Sequence, residues 1–311
     1  KLRKEIVYAA LKELKIIIQK IEKKYLPDWS CGIAIEYRGD ISTLPDSLTR
    51  KEISVFISFI FGIQLLSIGS THYDLENKPI VSFGNSPWGN NAISICNMNP
   101  RPPFHYNNNE IEKTLSILLE KFLLVCNKFN LSETIWKLWI GREQPIGTNL
   151  PIYASGIETL GDKYLKEKNI INKKSKTDNK KYNELIQDEY DSLSIKLKDY
   201  QFGKFVLNKL KNPTNYGIGE KMKLFFESLG FNFDENSVES KAMQARNEMT
   251  HESLSEISDT RIEKFVRNTN AYITLYNRLI LKLLDYNGKY IDYYNFGHPL
   301  RGIDENINIE E

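Results

Sequence analysis

The stretch from about residue 259 to 285 restricts the fold more than any other. Ile262, Phe265, Val266, Tyr272, Leu275, Tyr276, Leu279, Ile280 and Leu283 recur there at the helical period. A helix of that length with one apolar face has to be covered, either by neighbouring helices or by a second copy of the chain. Shorter segments ahead of it carry the same period. From about 110, Ile111, Leu115, Leu118, Leu119, Phe122, Leu123 and Cys126 line one face. Ser132 is placed to cap a short helix carrying Trp136, Leu138, Trp139 and Ile140. Further helices are expected at 152–168, 182–198, 201–211, 217–229 and about 236–251, with Pro213 and Gly217 at a turn. The expected class is mainly α, with a helical bundle over 110–300.

The first 109 residues read as a smaller mixed α/β region. Val7, Ala10, Leu11, Leu14, Ile17, Ile18, Ile21 and Tyr25 fit a helix over 1–25, which Pro27 would end. Residues 31–37 are either a short strand or the start of another helix. Thr49 is placed to cap a helix over 50–66, with Glu52 completing a capping box. Ser67 to Phe83 is β-prone and Gly84 to Asn109 is loop-like. That loop holds Trp88 and His105. Both can stack on a ligand, although such aromatics more often cover a core edge. At the other end, Asp304 to Glu311 reads as a loose acidic tail closing the segment 301–311.

Charge and cysteine usage narrow the function classes. Forty-two Lys and Arg against forty Asp and Glu give a net charge of +2. The molecule as a whole is therefore no basic nucleic-acid binder, and affinity for RNA has to come from local patches. Cys31, Cys96 and Cys126 form no CxxC pair, and an odd count in a chain of 311 residues reads as reduced and cytoplasmic. No secretory leader is visible behind Lys1, which stands where a methionine would start a complete chain. The most apolar run, Ile53 to Ile68, is interrupted by Ser54, Ser58, Gln64 and Ser67, and falls short of the roughly twenty residues of a membrane span. It is expected to be a buried helix.

The chemistry concentrates at Lys241-Ala-Met-Gln-Ala-Arg246-Asn247-Glu248-Met249-Thr250-His251. On a helix, Asn247 and His251 lie one turn apart on one face, and the long side chain of Arg246 starts one position earlier. A guanidinium binds phosphate oxygens in a fork, and an imidazole moves a proton near neutral pH. The plain alternative is an imidazole favoured at a helix C-terminus for its charge. A second basic stretch contains Lys173, Lys174, Lys176, Lys180 and Lys181 and, over 173–181, no apolar residue. It is expected to be a mobile loop. Its composition favours a solvated insertion over an electrostatic arm for RNA. No Walker loop, nucleophile elbow or metal-ligand cluster is present in the sequence.

Arg-Asn-x-x-x-His, followed by a helix that ends Arg278-Leu-Ile-Leu-Lys-Leu-Leu-Asp-Tyr-Asn-Gly-Lys-Tyr-Ile291, resembles the HEPN superfamily of helical ribonucleases. The ending resembles the ApeA-like branch, found in bacterial anti-phage and abortive-infection proteins. The likeness covers about 200 to 295 and extends to about 150, where Ala154-Ser-Gly-Ile-Glu-Thr-Leu160 resembles an early helix of the bundle. It does not reach the first hundred residues. The resemblance implies a HEPN-like bundle over 110–300 and a metal-independent endoribonuclease without cofactor. Arg246, His251 and Asn247 would then be its catalytic residues, in a homodimer that joins two Arg/His sets in one cleft. Its substrate would be RNA, with tRNA among the candidates. It also admits a non-catalytic helical RNA- or protein-binding module. A third reading is a toxin held inactive by a partner protein and released by a phage-derived trigger. The region 1–109 would then sense or regulate.

Overall fold

The computed structural model describes residues 6–11, 13–21, 32–84, 99–105, 110–171, 176–211, 216–234, 237–251 and 258–307. For some of these, among them 246–251, it describes the backbone alone.

The chain begins with strands, not the expected helix. β1 (Ile6–Leu11) and β2 (Leu14–Lys20) form an antiparallel hairpin, with Leu11 opposite Leu14. β3 (Ile33–Arg38) pairs along the other edge of β2, Ile18 facing Ile35. The apolar positions of this stretch satisfy both periods, and the chemistry of the residues separates them. Ile16, Ile17 and Ile18 are consecutive β-branched residues, which lose χ1 freedom in a helix and suit a strand. Pairing on both edges buries all three. Residues 22–31, including Tyr25 and Pro27, lie outside the described residues.

A single turn of 3-10 helix at Ile41–Thr43 leads into α1 (Ser47–Phe61). Its cap is Asp46, not Thr49: the Asp46 carboxylate accepts the Thr49 backbone N–H at 2.7 Å. The helix therefore starts three residues earlier than expected and ends at Phe61. Glu52 has no place in a capping box; it is buried and accepts a hydrogen bond from Asn127 at 2.6 Å. Gly62 closes α1 in the left-handed region, at φ +65°. A Cβ there would stand 2.0 Å from the carbonyl carbon of Arg101, so both the turn and the close approach require glycine. β4 (Gly69–Tyr73) and β5 (Pro79–Gly84) then form a hairpin whose residues are all exposed. Trp88 and the rest of 85–98 lie outside the described residues.

From here the molecule is helical, as expected: ten α-helices among the described residues against three small sheets. α2 (Ile111–Phe129) packs on β1 and α1, and the Ala10 backbone N–H donates to Ser116 at 2.9 Å. α3 (Leu131–Glu143) follows directly, with Asn130 as the residue before it. Ser132 does not cap it but lies 3.3 Å from the Cys126 sulfur. α4 (Leu150–Glu167) is the central helix, with Leu150, Tyr153, Ala154, Ile157 and Leu165 fully enclosed. It packs on α2, α3, α8 (Ile218–Ser228), α9 (Val238–His251) and α10 (Asp259–Leu283). Gly156 lets α10 come this close, since a Cβ there would meet the Tyr276 hydroxyl at 1.8 Å. That hydroxyl donates to the Tyr153 carbonyl at 2.8 Å, and the Tyr153 and Tyr272 rings stack at 5.7 Å.

Between α4 and α8 the chain makes α5 (Lys176–Leu185), α6 (Gln187–Lys196) and α7 (Gly203–Lys211). The expected loop over 173–181 is therefore helical from Lys176 onward. Polar residues are spaced along α5 and α6, Gln187 bonding to Asp191 one turn away at 2.9 Å, and no residue of α6 is buried. At the end of the chain, β6 (Lys289–Ile291) pairs with β7 (Leu300–Gly302). The expected loose tail is tied down as far as Ile307, which is buried. The apolar core runs continuously from the β1–β3 sheet through α10 to this segment. No helix among the described residues is long and apolar enough to cross a membrane.

Candidate functional site

α9 carries the motif, and its sequence fixes which side faces the core. Val238, Ala242 and Ala245 are buried, while Lys241 and Gln244 are exposed. Counting about 100° per residue from Val238, Ala242 falls near 40° and Ala245 near 340°, which defines the inner side. Asn247 falls near 180° and His251 near 220°, in register with exposed Gln244. Arg246 falls near 80°, between Ala242 and Glu239, on the side that turns toward α10. The helix runs through all three positions. The side chains of Arg246, Asn247 and His251 lie outside the described residues.

The first turn of α9 is locked to α10 by a buried ion pair. Arg278 Nη1 donates to Glu239 Oε1 at 2.5 Å, with both side chains almost completely enclosed. Arg278 Nη2 donates to the carbonyl oxygens of Ile303 at 3.2 Å and Glu305 at 2.9 Å. Its guanidinium lies over the Phe231 ring at 4.5 Å and the Tyr290 ring at 5.4 Å. One side chain thus joins α9, α10, the segment before α9 and the end of the chain. Burial raises the Glu239 pKa above the ordinary carboxylate value, and the Arg278 charge opposes that shift.

α10 is enclosed on every side from Ala271 to Leu281. Its second half is therefore core of the single chain. Only its first half keeps exposed apolar residues, Ile262 and Val266.

The other candidates are dispersed. Lys173 and Lys174 lie outside the described residues, and Lys176 is in α5 with its side chain outside them. Lys180 and Lys181 are exposed on α5, Lys180 standing 3.9 Å from Glu184. His105 is exposed; His72 meets Phe83 edge-on at 6.1 Å within the β4–β5 hairpin. Cys126 is buried and burial raises its pKa, which suits a core residue and not a nucleophile. Among the described residues no group of three or more His, Cys, Asp or Glu converges.

The structure also brings together two arginines that the sequence did not single out. Arg142, at the end of α3, donates to the Gly62 carbonyl at 2.6 Å and to the Asn99 carbonyl, with its guanidinium 5.4 Å from the Trp139 ring. Arg101 donates to Asn270 of α10 at 2.6 Å and lies 5.2 Å over the Tyr293 ring. Burial lowers the Arg142 pKa, and the nearby Arg101 charge acts in the same direction. The one sequence signal was Arg101 itself, a cation held between prolines in Asn99-Pro-Arg-Pro-Pro103.

Together these observations define a mainly α protein whose motif helix is fixed by a buried ion pair. No family model, curated protein or solved structure matches the chain.

Proposed function

We propose that the chain is a metal-independent endoribonuclease of the HEPN type, acting in anti-phage defence as a two-fold dimer in the cytoplasm. The observation that carries this reading is the Arg246-Asn247-x-x-x-His251 set at the end of α9, directly ahead of α10. The substrate 2′-OH attacks the adjacent phosphorus. The P–O2′ bond forms, the P–O5′ bond breaks, and the products are a 2′,3′-cyclic phosphate and a 5′-hydroxyl. A base takes the 2′-OH proton and an acid delivers one to the leaving oxygen. An imidazole ordinarily titrates in the range that suits either task, which assigns His251 to proton transfer, and Arg246 supplies fixed positive charge to the phosphate oxygens. Asn247 orients the phosphate or holds one imidazole tautomer.

One imidazole cannot serve as base and acid in the same step, so a second copy supplies the other. Exposed Ile262 and Val266 on the first half of α10 favour a two-fold interface beside the end of α9. Purified chain incubated with total cellular RNA should cut it, and light scattering at micromolar concentration should give the mass of a dimer. A monomer both free and RNA-bound, or intact RNA, contradicts the reading.

A further inference from the structure

The loop between β6 and β7 is built to hold an aromatic ring in solvent. Asp292 is fully buried and organises it. One carboxylate oxygen accepts the backbone N–H groups of Tyr294 at 2.9 Å and Asn295 at 3.4 Å. The other accepts the Asn295 side-chain amide at 2.6 Å and Arg301 Nε at 2.8 Å. The Asp292 N–H donates to Pro299 at 2.9 Å, and the His298 N–H to Asn295 at 3.2 Å. At the tip, Phe296 has a relative exposure of 105%. A single exposed aromatic needs no explanation by itself. Here, however, the ring stands on a loop pinned by Asp292, and its chain neighbours Tyr293 and Tyr294 each lie under a guanidinium.

Arg101 lies over the Tyr293 ring at 5.2 Å, and the His298 ring meets Tyr293 at 5.1 Å. Exposed Arg267, about two turns into α10, lies over Tyr294 at 4.9 Å. Among the described residues neither Arg101 nor Arg142 has a carboxylate within ion-pair distance; they donate to an amide and to backbone carbonyls. The Asp292 carboxylate is already engaged within the loop. Positive charge at the base of an exposed ring is complementary to a strand whose phosphates and unstacked bases alternate.

We propose that the 292–299 loop, with Arg101 and Arg267 at its base, binds an unpaired RNA strand, Phe296 stacking on a base and the guanidiniums meeting phosphates. That the strand is RNA rests on the ribonuclease reading above. A duplex keeps its bases stacked and offers Phe296 no open face, so the site selects single strands.

The test is fluorescence anisotropy on the full chain with a labelled 2′-O-methyl oligouridine of about twelve nucleotides, within the usual range of single-strand sites. A 2′-O-methyl duplex of equal length is run beside it. Neither probe can be cut by 2′-OH attack, so binding is read apart from cleavage. Phe296→Ala, a change at a fully exposed position, should weaken single-strand binding by about fivefold or more and leave duplex binding unchanged. Arg267→Gln should weaken binding and reduce its salt dependence by about one phosphate contact. Unchanged strand binding by Phe296→Ala, or equal loss for strand and duplex, overturns the assignment; a ring that serves a protein partner would give the first result. A chain that binds the strand through Phe296 but cuts no RNA sinks the ribonuclease reading alone.

Discussion

His251→Ala should lower RNA cleavage by about 10²- to 10⁴-fold, the usual contribution of a positioned proton-transfer group. Arg246→Ala should lower it by about 10²- to 10³-fold, the scale of losing one donor to developing charge. Asn247→Ala should be milder, because an orienting amide contributes less than the group that moves the proton. The register of α9 makes the folding control specific. His251 falls in line with exposed Gln244, so its variant should melt with the wild-type chain. Arg246 falls on the side that carries Ala242 and Glu239. Its thermal melt therefore has to accompany its rate, and loss of both together would make it a structural residue. A mixture of His251→Ala and Arg246→Ala chains adds a further arm. If two sets share one cleft, heterodimers should cut differently from either variant alone. Strict addition of the two residual rates would contradict a shared site.

Arg278→Met should destabilise the fold by about 3–5 kcal/mol, because it leaves the Glu239 carboxylate buried without its cation. This is the largest stability effect expected from one substitution here. The second change Glu239→Gln should recover much of the loss by removing the stranded charge. The pH dependence has a defined sign. The folded-state pKa of Glu239 is raised above its ordinary value, chiefly by burial. Folding therefore favours its protonated form. Its contribution to stability is fully present below the ordinary carboxylate range and is lost as pH rises through the raised value. Removing the Arg278 charge raises that pKa further. The deficit of Arg278→Met, measured by denaturant unfolding, should accordingly be smaller at acid pH than at neutral pH. A deficit independent of pH, and unaffected by Glu239→Gln, would mean that the lost ring and carbonyl contacts of the guanidinium dominate.

The helices of the second part are legible in the sequence because long segments carry many periodic positions. Leu275, Leu279 and Leu283 alone fix the face of α10. The N-terminal hairpin is not legible in the same way. Ile16 to Ile18 suit either period over a short run, and the edge pairing with β3 decides between them. The cap of α1 is misplaced by three residues because Asp46 and Thr49 are both good caps and the sequence does not show which N–H is left to satisfy. Ser132 misleads for a similar reason, its hydroxyl being taken by Cys126. At the site, α9 and its inner face could be read from Ala242 and Ala245. The lock on it could not, since Glu239 and Arg278 lie thirty-nine residues apart and meet only through the packing of α9 on α10. Arg101 reaches Asn270 over an even longer separation.

The central claim is attack by the substrate's own 2′-OH, activated by protein side chains. It follows from the chemistry of the motif: Arg246 and His251 offer charge and a proton acceptor, and the nucleophile already beside the phosphorus needs no metal hydroxide to replace it. The most direct measurement is cleavage of one RNA whose cut site is known, in excess chelator, repeated with a single 2′-deoxy substitution at that site. The account predicts undiminished cleavage in chelator, a 2′,3′-cyclic phosphate on the upstream product and no cut at the deoxy position. Loss of activity with chelator, or a cut that survives the deoxy substitution, would contradict it.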